Sequence, residues 1–98
     1  MSLAGGIQIF LETDFLIRSC ELSDLPEVLL IENAAYPRPW SEQQFLQELQ
    51  ADYSQVVLLF FGPNLAGYLC YWLAAGELHI LNVATAPRFR RKGVARKL

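Results

Sequence analysis

The stretch Asn82-Val83-Ala84-Thr85-Ala86-Pro87-Arg88-Phe89-Arg90-Arg91-Lys92-Gly93-Val94-Ala95 changes character twice. Its first residues are β-prone, Pro87 cannot continue a ladder because it lacks a backbone donor, and the run from Gly93 has helical composition. Where a strand feeds a helix through such a turn, unpaired backbone N–H groups converge on one point with the helix dipole behind them. Gly93 admits an anion to the backbone without a Cβ clash, and Ala95 stays small for the same reason. Arg90, Arg91 and Lys92 add positive charge around it, with Arg96 close by. The pattern suits a phosphate.

Charge patterning points the same way. The formal net charge of −2 conceals a division at Pro87. Up to that residue the chain has two basic and ten acidic side chains, hence −8; after it come six basic and no acidic ones, hence +6. Six like charges so close together repel one another unless an anion or solvent relieves them. If the anion were a nucleic acid, aromatic residues for base stacking should interleave with the charges, and only Phe89 does.

Working back toward the N-terminus, three β-prone runs precede the cradle. Ser54–Phe61 is almost continuously apolar, as expected of a strand covered on both faces. Gly62-Pro63-Asn64 turns the chain, Leu65–Ala75 extends again, and Gly76 precedes a third run over Glu77–Thr85. Short turns between them predict an antiparallel meander. Ser41-Glu42-Gln43-Gln44 reads as a capping box that opens a short helix carrying Phe45 and Leu49 on one face. Tyr36-Pro37-Arg38-Pro39-Trp40 cannot be helical and forms a stiff aromatic loop. Before it, Asp24 at the N-cap, Pro26 in the first turn and Glu27 at N3 start a helix bearing Val28, Leu29, Ile31 and Ala35. Ile7–Glu12 and Phe15–Cys20 are short strand candidates separated by a turn at Thr13-Asp14.

Ninety-eight residues, 53% hydrophobic and 18% charged, hold one domain at most and exclude a disordered chain. No apolar run approaches the roughly 20 residues of a membrane helix, so no membrane partner is expected. Met1–Gly6 has no basic residue and leads into no apolar core; it reads as an expression leader, leaving residues 7–98 as the domain. Cys20 and Cys70 have no metal-ligand spacing and sit in apolar sequence, so buried thiols in a reducing cytoplasm are expected, and no metal. The helix beginning at Gly93 has fewer than two turns before the sequence given ends, so the expectation is the N-terminal part of a single domain whose C-terminal part is absent.

The order of strand, two helices, three-stranded meander and Arg90-x-x-Gly93-x-Ala95 at a helix start resembles the GNAT superfamily of acyl-CoA-dependent N-acetyltransferases, an α/β (α+β) fold. Asn82–Pro87 with Arg90–Gly93, together with Pro39-Trp40-Ser41-Glu42 between the helices, is most similar to the ribosomal-protein-alanine acetyltransferases. That resemblance implies acetyl-CoA as co-substrate and a protein N-terminal α-amine, possibly on a ribosomal protein, as acceptor. It places the pyrophosphate on Arg90, Arg91, Lys92, Gly93, Val94, Ala95 and Arg96, and the pantetheine arm on main-chain groups of Val83, Ala84 and Thr85. Tyr36, Arg38 and Trp40 would frame the acceptor peptide. His79 stands where several members place a base, against the alternative that it only bonds within the sheet. The family's main catalytic glutamate and tyrosine lie on later elements, so little turnover is expected of this chain alone. The alternatives are a nucleic-acid-binding module or a non-catalytic piece that associates through the Glu77–Thr85 strand, whose apolar Leu78, Ile80, Leu81 and Val83 invite a homo-oligomer.

Overall fold

In the computed structural model, which describes residues 8–11 and 15–89, the chain forms one antiparallel sheet with strands in sequence order. The elements are β1 (Gln8–Leu11), β2 (Phe15–Ser19), α1 (Leu25–Ala35), α2 (Glu42–Gln50), β3 (Ser54–Phe61), β4 (Asn64–Ala74) and β5 (Glu77–Thr85). Single 3₁₀ turns occupy Leu22–Asp24 and Pro87–Phe89. The GNAT-like architecture and the meander therefore stand as expected, with β4 starting one residue earlier because Gly62-Pro63 alone makes the turn.

Both loops of the β3–β4–β5 meander have two residues, which selects turns whose twist matches the strands. Gly62 has φ +58 ahead of Pro63, the sign pattern of a type II′ turn. Ala75 and Gly76 have φ +52 and +78, the pattern of type I′, and Ala75 is the one described non-glycine residue in the left-handed region.

Register sets the core. Val56 pairs with Cys70 and Leu58 with Tyr68, so these four share the sheet face that meets the helices. They join Leu25, Val28 and Ile31 of α1 and Phe45 of α2 in one buried cluster. Phe45 has no exposed surface and packs edge-to-face on Tyr68 at 5.8 Å and on Trp40 at 5.1 Å between ring centroids. The α2 capping box forms as read: the Ser41 N–H donates to the Gln44 side chain at 2.9 Å, and the Gln44 N–H donates to Ser41 Oγ at 3.2 Å. Tyr68 is core and Trp72 is sheet packing, its indole edge-on to Tyr53 at 5.2 Å and its N–H donating to Glu48 at 2.6 Å.

The start of α1 differs from expectation in mechanism. Asp24 is the N-cap residue, but its backbone is helical and its carboxylate caps nothing in α1. It reaches back instead, accepting two bonds from the Arg18 guanidinium at 2.7 Å each and one from the Glu21 N–H at 2.8 Å. The 3₁₀ turn explains this, because it puts Asp24 at the third position of its own capping box. Arg18 also lies over the Phe60 ring at 4.6 Å. The bidentate Arg18 bond, partly opposed by burial, holds the Asp24 carboxyl below its ordinary range. A depressed folded pKa contributes stability that is complete above the unfolded value of about 3.9 and is lost as pH falls through the folded one. Asp24→Asn should therefore destabilise by about 1–2 kcal/mol at pH 7, with the gap to wild type closing below about pH 4 in urea unfolding.

Candidate active site

Among the described residues β5 is an edge strand of the sheet, with β4 as its one neighbour. Its ladder with β4 shifts register between Cys70 and Tyr71, which pair with Asn82 and Ile80 and leave Leu81 unmatched. Such a bulge bends and twists the strand locally, and pairing with β4 resumes over Asn82–Thr85. At the bend, α1 and the loop after it reach the strand with two side chains. The Asn82 amide donates to Glu32 Oε1 at 2.8 Å, and the Tyr36 hydroxyl donates to the Val83 carbonyl.

Between these elements lies a cavity of about 300 Å³ lined by Glu32, Tyr36, Arg38, Trp40 and residues 80–83. That volume is at the small end for a ligand pocket. The three loop residues expected to frame an acceptor are thus brought together, on the same cavity as Val83. Trp40 does both things a tryptophan there can do, lining the cavity and stapling α2 through Phe45. Ala84 is buried and Thr85 half-buried on the following stretch of β5. His79 does not line the cavity: its Nε2 lies 3.1 Å from Glu77 Oε2 at the exposed end of β5, opposite Trp72. Arg90, Arg91, Lys92, Gly93, Val94, Ala95 and Arg96 lie outside the described residues.

A residue that sequence reasoning missed stands at the centre. Glu32 is 1% exposed, and its carboxylate accepts from the Tyr68 hydroxyl, the Asn82 amide and, at 2.8 Å on Oε2, the Trp40 backbone N–H. Burial and the bond to Glu32 both raise the Tyr68 phenol above its ordinary value, so it remains a donor. The signal was available: four residues after Val28 and one after Ile31, Glu32 falls in the apolar stripe of α1, and a charge in such a stripe marks a partnered or functional group. The cysteines take no part. Burial pushes Cys20 up to about 12 and Cys70 up to about 11, so neither is a nucleophile at neutral pH. Among the described residues no group of three or more His, Cys, Asp or Glu side chains could hold a metal ion, and no helix is long and apolar enough to cross a membrane.

The model of the acetyltransferase (GNAT) family matches residues 25–98, three quarters of the chain. The chain belongs to that family. GNAT enzymes as a family use acetyl-CoA and an acceptor substrate. It is 27% identical over 89 residues to a Bacillus subtilis (strain 168) protein described as "Putative ribosomal protein bS18-alanine N-acetyltransferase", covering 90% of this chain and 59% of that protein. The crystal structure of the ribosomal-protein-S18-alanine N-acetyltransferase from Escherichia coli superposes with a TM-score of 0.78 at 30% identity, covering 86% of this chain and 54% of the other. A further structural neighbour, AAC(6')-Iy in complex with the bisubstrate analog CoA-S-monomethyl-acetylneamine, shares the fold at a TM-score of 0.68 and 18% identity, covering 88% of this chain and 67% of its own. The chain thus spans little more than half the length of its first two relatives.

Proposed function

We propose that the chain is part of a cytoplasmic enzyme that transfers the acetyl group of acetyl-CoA to the α-amine of a protein N-terminus, of the ribosomal-protein-alanine type. One observation carries this reading: the bent edge strand β5 presents the Val83 carbonyl beside the cavity lined by Tyr36, Arg38 and Trp40. An extended pantetheine arm can pair its amides with the main chain of Val83, Ala84 and Thr85, as a peptide pairs with a sheet edge. The pyrophosphate then falls on residues 90–96, whose composition is that of an anion cradle. An amine in the cavity attacks the thioester carbon; the acyl C–S bond breaks, the amine loses a proton, and the departing thiolate gains one. The names of the Bacillus and Escherichia relatives support the acceptor class.

Because the chain spans only part of its relatives, binding is a sharper test than turnover. Calorimetric titration should show saturable binding of acetyl-CoA and desulfo-CoA and none of a short DNA duplex. Binding of DNA without CoA would remove the reading.

The sheet edge also supports self-association. Leu73, Leu78 and Ile80 are 52%, 57% and 60% exposed at the end of the β4–β5 hairpin, and an apolar edge invites a second strand. In this reading the chain forms a homo-oligomer, which light scattering after size exclusion detects; a clean monomer at all loading concentrations excludes it.

A further inference from the structure

The cavity beside β5 contains a charge that has no task in the acetyl transfer itself. Glu32 is almost wholly buried and still forms part of the lining. Its three partners are donors, as an ionised carboxylate needs, but all three are uncharged: a phenol, a primary amide and a backbone N–H. Among the described residues the one Arg or Lys ion pair is Arg18 with Asp24, and His79 lies on Glu77, so none of them gives Glu32 a cation. A carboxylate offers about four lone-pair sites. Two of the donors share Oε1, which leaves the spare site on Oε2, where the Trp40 N–H is the one partner. Taking a carboxylate out of water without a counter-ion is unfavourable, and a cation entering the cavity relieves it. Arg38 does not supply that cation: it lines the same cavity but is exposed, and it makes no ion pair among the described residues. Water screens its charge, whereas the Glu32 charge acts in a poorly screened interior.

From this placement we propose that the cavity receives a primary ammonium group, the protonated α-amine of a peptide end, with the Glu32 carboxylate as its counter-charge. The α-amine as the source of that ammonium rests on the acetyl-transfer reading; the charge recognition does not. Holding the amine as a cation is a binding role. It concentrates and orients the acceptor against Val83 before the proton leaves, so it acts on acceptor affinity and not on the affinity for CoA.

The test is a titration of the ¹⁵N-labelled chain with alaninamide and with lactamide, which replaces the ammonium by a hydroxyl at nearly the same size. The backbone amide of Trp40, bonded to Glu32, is the reporter. Alaninamide is expected to shift that resonance saturably and lactamide to bind at least about tenfold more weakly. Glu32→Gln keeps the volume but sets its NH2 against a donor, either Asn82 or the Trp40 N–H, so its thermal midpoint is expected to fall. Measured below that midpoint, it should bind alaninamide about tenfold more weakly. Equal affinity for the two compounds, undiminished affinity in E32Q, or no saturable shift in wild type overturns the proposal. If E32Q fails to fold, the comparison of the two compounds on wild type decides alone. A chain that binds alaninamide and not desulfo-CoA keeps the ammonium site and loses the acetyl-transfer reading. One that binds desulfo-CoA and treats the two compounds alike loses the ammonium site only.

Discussion

Truncating Phe45 to alanine is expected to destabilise the fold by about 3–5 kcal/mol. The ring has no exposed surface and is the one described side chain of α2 that is fully buried. Its removal opens a void between the helix and the sheet and deletes two edge-to-face contacts, with Trp40 and with Tyr68. Trp40 is a wall of the cavity, and Tyr68 holds the carboxylate inside it. The loss should therefore appear twice: as a lower urea midpoint, and as weaker alaninamide binding under conditions where the variant is still folded. Phe45→Leu keeps most of the volume and should cost less than about 1.5 kcal/mol while leaving binding intact. Equal effects from the two substitutions would show that the ring does not support the cavity.

Glu32→Ala should cost about 3 kcal/mol, for a different reason. The substitution leaves the Tyr68 hydroxyl, the Asn82 amide and the Trp40 N–H without their acceptor. Tyr68→Phe deletes one of these donors and should cost only about 1 kcal/mol. Combining the two substitutions should be clearly less than additive, because the second removes a donor that the first has already orphaned. Strict additivity in urea unfolding would mean that the three donors do not share the carboxylate in solution.

Phe45 and Glu32 meet at one place, and much of it is legible in the amino-acid sequence. The capping box at Ser41, the proline-locked loop carrying Tyr36, Arg38 and Trp40, and the two-residue turns at Gly62 and Gly76 are local devices, fixed by interactions within a few residues. Period and composition therefore located α2, the loop and the meander almost to the residue. Asp24 shows the limit of local reasoning. Its position at the start of α1 was legible, but its carboxylate had a better offer from Arg18 on β2, where a bidentate charged pair outweighs a neutral cap.

By itself the amino-acid order determined the elements, their sequence along the chain, the family pattern and the loop residues that border the cavity. What only the tertiary structure decided is where buried polarity is satisfied. Glu32 meets partners that are 8, 36 and 50 residues away, and Tyr36 meets Val83 across 47. Hydrogen bonds over such separations depend on how α1 is seated on the sheet and on a bulge that no local propensity specifies. His79 fell to the exposed end of its strand for the same reason: alternation tells which face a residue takes, while its distance from a site depends on where the sheet bends.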